Sequence, residues 1–184
     1  MNLGYACINM TLSGQKPKIT TNRSMIKKTF LNKGPEYAGE LALLNSIDLL
    51  KILKWNTKYG IKLFRISSDI FPWASEYKIE DLPQYDNIKT ILKECGDYAN
   101  KTNMRLTSHP GPFNVLVSPR EHVVQNTIID LTNHGKVFDL LGLQRTPYNK
   151  INIHCNGVYG DKPSALDRFC KNFERLPESV QTRL

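Results

Sequence analysis

The chain has 184 residues, a hydrophobic fraction of 40%, and 25 Lys plus Arg against 17 Asp plus Glu, for a formal net charge of +8. That length carries one domain, residues 1–184, with its own core. No apolar run reaches the roughly 20 residues of a membrane span, and the opening residues show neither a basic leader nor a signal-type apolar stretch. The expectation is a soluble, intracellular protein with no membrane partner. Its positive excess favours a polyanion, because phosphate contacts release counterions.

In chain order, residues 3–9 read as a first strand and residues 10–34, rich in Lys, Thr, Asn and Gly, as a long loop. Residues 37–59 predict a helix, since Leu41, Leu44, Ile47, Leu50, Ile52, Leu53 and Trp55 recur near helical spacing and Gly60 follows as a stop. Ile61-Lys62-Leu63-Phe64-Arg65-Ile66 alternates as a second strand. A loop of Ser, Pro and aromatic residues leads to a helix over 85–101 and a third strand over 104–108. The next helix, over 119–141, opens on Ser118-Pro119-Arg120-Glu121, a pattern of serine cap, proline in the first turn and glutamate behind it. A fourth strand spans 150–154, and a last helix starts after Asp161 with Ser164 as its cap, fading near Leu176-Pro177.

Strands alternating with helices predict an α/β fold with a parallel sheet. The four β-loop-α units amount to half of a TIM (β/α)8 barrel. The long loops follow strands, which makes the strand carboxyl ends the working face.

Two segments put a histidine at such an end: Ser108-His109-Pro110-Gly111 and Ile153-His154-Cys155-Asn156-Gly157. Imidazole is the commonest metal ligand, so His109 and His154 are candidate ligands of one metal site. The bland alternative for each is a histidine satisfied by local hydrogen bonds. His122 and His134 fall on what reads as a solvated helix face and receive no role. Cys7, Cys95, Cys155 and Cys170 form no CxxC pair and suit a reducing compartment. Alternation turns Cys155 away from His154, into packing.

Arg65, between Phe64 and Ile66, needs an anionic partner, either a core carboxylate or a DNA phosphate. Thr20-Thr21-Asn22-Arg23 offers groups that suit phosphate. Phe71, Trp73 and Phe113 lie on working-face loops, where aromatics stack on bases or wedge into a duplex; local packing is the alternative, above all for Phe71 and Trp73. Carboxylates are scarce at the strand ends, with Asp69 and Asp161 the nearest.

The ordered motifs resemble the UV damage endonucleases. They are Leu3-Gly4-Tyr5-Ala6-Cys7-Ile8-Asn9-Met10-Thr11-Leu12, Thr21-Asn22-Arg23, Asn45 through Asp48-Leu49, Ile52-Leu53-Lys54-Trp55-Asn56 and Gly60-Ile61-Lys62-Leu63-Phe64-Arg65-Ile66-Ser67-Ser68. Ser108-His109-Pro110-Gly111, Ile153 through Lys162, Ala165-Leu166, Arg168-Phe169 and Asn172-Phe173 follow. The resemblance covers nearly the whole chain and corresponds to the N-terminal part of the family. It implies a TIM barrel and a cluster of divalent metals, usually manganese, that incises double-stranded DNA 5′ to UV photoproducts in DNA repair.

By the same resemblance His109 and His154 match two metal-ligand histidines. Tyr5 and Asn9 match residues lining the lesion and metal pocket, and Asn22, Arg23, Arg65, Ser67 and Lys162 fall in motifs near bound DNA. Where the family carries Gln-Tyr to probe the duplex, this chain has Pro112-Phe113. Phe113 keeps a wedge, while Pro112 lacks the hydrogen bonds of a glutamine. The remaining acidic and histidine ligands of the family lie beyond the position of Leu184. The sequence is therefore expected to be truncated, split or a fragment, inactive alone, with a second chain as one way to complete the barrel. A non-catalytic DNA-binding remnant and a sugar-isomerase-like barrel are the competing readings.

Overall fold

Short apolar segments whose residues alternate between two faces become the strands. The computed structural model describes residues 3–184, in which β1 (Gly4–Ala6), β2 (Leu63–Ile66) and β3 (Arg105–Ser108) form one parallel sheet in the order β1-β2-β3. Tyr5 pairs with Phe64 and Ala6 with Arg65, and Phe64 in turn pairs with Leu106 and Arg65 with Thr107. Phe64, Ile66 and Leu106 are buried in the main core. Their strand neighbours Ala6, Arg65 and Thr107 therefore face the other side of the sheet.

Helices cover the first side. They are α1 (Met10–Ser13), α2 (Lys27–Lys58), α3 (Tyr85–Lys101), α4 (Glu121–Leu140), α5 (Lys162–Phe173) and α6 (Glu178–Gln181), with short 3-10 turns at Ser68–Ile70 and Ile79–Asp81. From α2 come Leu49, Ile52 and Leu53, and from α3 Ile88 and Leu92, all fully buried against the sheet; each contributes about 1.5–3 kcal/mol by burial. A smaller cluster of Leu116, Leu131, Leu176 and Val180 joins α4 to α6. Among the described residues no helix is long and apolar enough to cross a membrane.

Several boundaries differ from the sequence expectation. The loop over 10–34 contains α1 and the first turns of α2. α2 is kinked at Gly34 (φ 68°, ψ −170°), a conformation that only glycine adopts without strain, and Pro35 follows it. At its far end Ile61 N–H reaches Asn56 O at 2.9 Å and Gly60 N–H reaches Thr57 O at 3.2 Å, which closes the helix as expected. α3 has the expected bounds.

α4 begins two residues late, because Ser118 does not cap it. Its hydroxyl accepts from Arg120 N–H at 3.2 Å in a tight turn, and Arg120 occupies the cap position without a side-chain bond. The fourth strand is reduced to one parallel bridge between Ser108 and Ile151. Pro110 lacks the N–H that would extend the ladder. At α5 the cap is Asp161, whose carboxylate accepts from Ser164 N–H at 3.3 Å. Ser164 stands three residues inside, and the carboxylate is favoured at the positive end of the helix.

Two close contacts hold the later units in place. A Cβ on Gly96 would stand 1.6 Å from Leu141 O, so α3 meets the end of α4 only through glycine. Arg183 is fully buried and donates to Asp139 at 2.9 Å, Ser179 O at 2.9 Å and Leu143 O at 2.6 Å. Its carbonyl accepts from Ile151 N–H at 2.8 Å.

Candidate metal and nucleic-acid site

Strand parity builds the site. Arg65 and Thr107 face away from the helices, so His109, two residues past Thr107, faces that way too. Past the Ser108–Ile151 bridge the chain leaves the sheet and carries His154 to the same mouth as His109. The two imidazoles meet with ring centroids 4.6 Å apart at 37°, and Arg65 Nη1 lies 3.3 Å from His109 Nδ1. Ser68 Oγ donates to His109 O at 2.9 Å, tying the loop after β2 to the turn after β3. Burial, then the neighbouring His154 and Arg65, hold the His109 pKa below its ordinary value near 6.5, which favours the neutral ring that ligates metals.

Arg65 finds no core carboxylate. Among the described residues it has no ion pair, and its buried Nε has no hydrogen-bond partner.

A divalent ion fits the pair in part. Two imidazoles at this spacing suit two positions of a first-row metal shell. Among the described residues no group of three or more His, Cys, Asp or Glu is placed to hold a metal. Asp161 is occupied as a helix cap. Asp69 lines a separate cavity of about 460 Å³ together with Ser68, Trp73, Phe113, Asp130 and His134. Burial and the like charge of Asp130 raise the Asp69 pKa.

The other sequence candidates sort by what they touch. Phe113 is 89% exposed on the rim, free to meet a partner. Lys162 is exposed at the first turn of α5. Tyr5 sits on the helix-covered face with Phe64; its hydroxyl donates to Asn56 at 2.6 Å and accepts from Asn9 at 2.7 Å. Asn9 also caps α1. The hydrogen bonds of these two residues go to each other, to α2 and to α1.

The Thr20–Arg23 segment turns inward. Thr20 and Thr21 are buried, Thr20 bonds Asn22, and Arg23 donates to Asp48 at 2.6 Å, Thr20 O at 2.6 Å and Lys18 O at 2.9 Å. Ser67 is buried and accepts from Asp69 N–H at 3.3 Å. Phe71 is in the core, and Trp73 stacks on Phe30 at 5.5 Å while donating to Met25 O. Local packing is thus the outcome for both aromatics. Cys155 is exposed rather than packed, because the segment leaves the sheet after Asn152.

Three residues matter more than the sequence suggested. Asn45 is fully buried on α2, and its amide donates to Arg23 O at 3.1 Å and Asp69 O at 3.0 Å, clamping two working-face loops. Asp48 holds Arg23, Lys51 at 2.8 Å and Thr20 N–H at 3.1 Å. His134, read from sequence as solvated, is buried: Nδ1 lies 3.3 Å from Ser108 Oγ and Nε2 3.8 Å from Asp130. It therefore joins α4 to the strand end that carries His109. The visible signal was a polar stripe, Asn45, Asp48 and Asn56, on the apolar face of α2.

The imidazoles gather at the carboxyl ends of parallel strands, where α/β barrel enzymes place their active sites. The family UV-endonuclease UvdE matches residues 1–184, and the chain belongs to it. It is 39% identical over 185 residues to a UV-damage endonuclease of Schizosaccharomyces pombe, covering 99% of this chain and 30% of that protein. A UV DNA damage endonuclease of Clostridium perfringens is 35% identical, with 100% of this chain and 42% of the relative covered. The crystal structure of SacUVDE superposes with a TM-score of 0.87 at 32% identity, covering 100% of this chain and 59% of that one. The chain spans about a third to three fifths of the length of these relatives.

Proposed function

We propose that the chain forms part of a metal-dependent endonuclease that incises UV-damaged double-stranded DNA during repair, and that its sheet is the first half of a TIM barrel in a single domain. The observation that carries this reading is the His109–His154 pair, with rings 4.6 Å apart at one mouth of a parallel sheet. These imidazoles are two ligands of a divalent cluster, manganese by family resemblance. When bound, the metal supplies Lewis acidity at a phosphoryl oxygen and at a hydrolytic water. The chain's own part is to fix the ligands: Ser68 and the Ser108–His134 contact hold the turn after β3. The exposed Phe113 is a wedge for the duplex, and the +8 charge and Lys162 favour the phosphate backbone.

Two imidazoles without clustered carboxylates do not complete a catalytic shell. Little or no nicking of UV-irradiated plasmid by this chain in Mn²⁺ is therefore expected, and robust incision would refute that division of labour. Replacing His109 or His154 by Gln should each weaken binding of divalent ions; unchanged binding in both variants overturns the metal reading. β1 is paired on one side only among the described residues, and that open edge suits a second chain. Strong salt-dependent DNA binding with no response to metal would favour a non-catalytic DNA-binding role.

A further inference from the structure

The guanidinium beside the imidazole pair has a consequence for metal binding. Arginine only donates, so at 3.3 Å from Arg65 Nη1 the His109 Nδ1 must accept. A neutral ring with a bare Nδ1 carries its proton on Nε2. A cation needs a ring lone pair. If it takes Nδ1, it displaces Arg65 directly. If it takes Nε2, the proton moves to Nδ1, and that N–H then faces the Arg65 N–H. Coordination through either nitrogen breaks the Arg65–His109 hydrogen bond.

The released arginine is suited to a new partner. It has no ion pair among the described residues, and its Nε is buried without an acceptor. A guanidinium in that condition gains most from an oxyanion that accepts from two of its N–H groups. The residue is set on β2, facing the same side as the two imidazoles. The anion it meets there is one that also approaches the metal.

We propose that Arg65 is a positioning residue that exchanges partners: it holds His109 until a divalent ion takes the imidazole, and it is then released to grip a backbone phosphate of DNA. Metal loading and phosphate capture are thereby coupled, each strengthening the other by the same factor. This rests on the metal reading of His109 and His154 given above.

The test uses Ni²⁺, which imidazoles hold more tightly than Mn²⁺, titrated calorimetrically into the chain without DNA. R65M should bind Ni²⁺ roughly fivefold to tenfold tighter than the unaltered chain, the gain expected from removing one charged hydrogen bond that competes for the ligand. R65K keeps the charge on a shorter side chain and should show most of the same gain. Wild-type affinity in R65K beside tighter binding in R65M would mean charge alone, and would overturn the exchange.

Equal binding in R65M and the unaltered chain, with weaker binding in H109Q, also overturns the exchange while leaving the metal reading standing. Unchanged binding in both H109Q and H154Q removes the metal reading and this inference with it. One measurement needs no variant: a ¹H–¹⁵N spectrum of the unaltered, metal-free chain should show His109 protonated on Nε2. Protonation on Nδ1 overturns the exchange. In fluorescence anisotropy, Ni²⁺ should tighten duplex DNA binding more in the unaltered chain than in R65M; an equal effect counts against it.

Discussion

Asp48 is a carboxylate whose loss should cost this fold measurably. It lies on α2, its side chain is 5% exposed, and it accepts from Arg23 at 2.6 Å, Lys51 at 2.8 Å and Thr20 N–H at 3.1 Å. Burial pushes its pKa up, but Lys51, Arg23 and the Thr20 amide outweigh burial and hold it below its ordinary value near 3.8. D48N keeps the shape and removes the charge. Lys51 is half exposed and its pair is screened, so it contributes at most about 1 kcal/mol. The Arg23 bond is shielded and charge-assisted, and the variant also turns an amide N–H₂ toward a donor. Together these give a loss of about 2–3 kcal/mol, or a fall of about 5–10 °C in Tm for a domain of this size.

Thermal unfolding by circular dichroism at pH 7 measures this, with R23Q and the double variant completing a cycle. A Tm shift under about 2 °C, or a coupling energy within the usual error of about 0.5 kcal/mol, would refute the assignment of Asp48 as the anchor of the Thr20–Arg23 loop. The sign with pH follows from a lowered carboxylate pKa. The contribution is complete above the unfolded value near 3.8 and is lost as pH falls through the lower folded value. D48N should therefore unfold with less pH dependence below about pH 4.

Two further outcomes are expected. G96A forces a methyl group against Leu141 O and should cost about 2–3 kcal/mol in urea unfolding; a neutral result would mean that α3 and α4 are not locked there. For His134, burial lowers the pKa below 6.5 with Asp130 opposing, so the unfolded chain takes up the proton first. Stability is then complete above pH 6.5 and falls as the pH drops below it, by up to about 1.4 kcal/mol per pH unit. H134Q should flatten the urea midpoint between pH 7.5 and 5.5, and an unchanged slope would remove His134 from that role.

Local chemistry settled much of this protein in advance. The alternation of residues 61–66, the periodicity of 85–101 and the stop at Gly60 each act within one or two turns of chain, and β2, α3 and the end of α2 lie where they point. The two strand-end histidines were legible for the same reason, since a residue after a strand and before a Pro-Gly or Asn-Gly turn has few directions to face. The long-range outcomes were not legible. Ser118 and Ser164 both carry cap chemistry, yet a turn at Arg120 and the Asp161 carboxylate took those duties.

His134 looked solvated because helical spacing alone does not say which face meets the sheet; the packing of α4 on the Ser108 strand end decided that. The Thr20–Arg23 hydroxyls and guanidinium turned inward because Asp48 and Asn45, more than twenty positions away, offered desolvated partners that water could not match. Sequence fixes which groups can bond and which faces alternate, since those properties are carried by the residue and its near neighbours. Which groups remain available to a ligand depends on who reaches them first in three dimensions, and only the tertiary packing decided that for Arg23, His134 and Arg65.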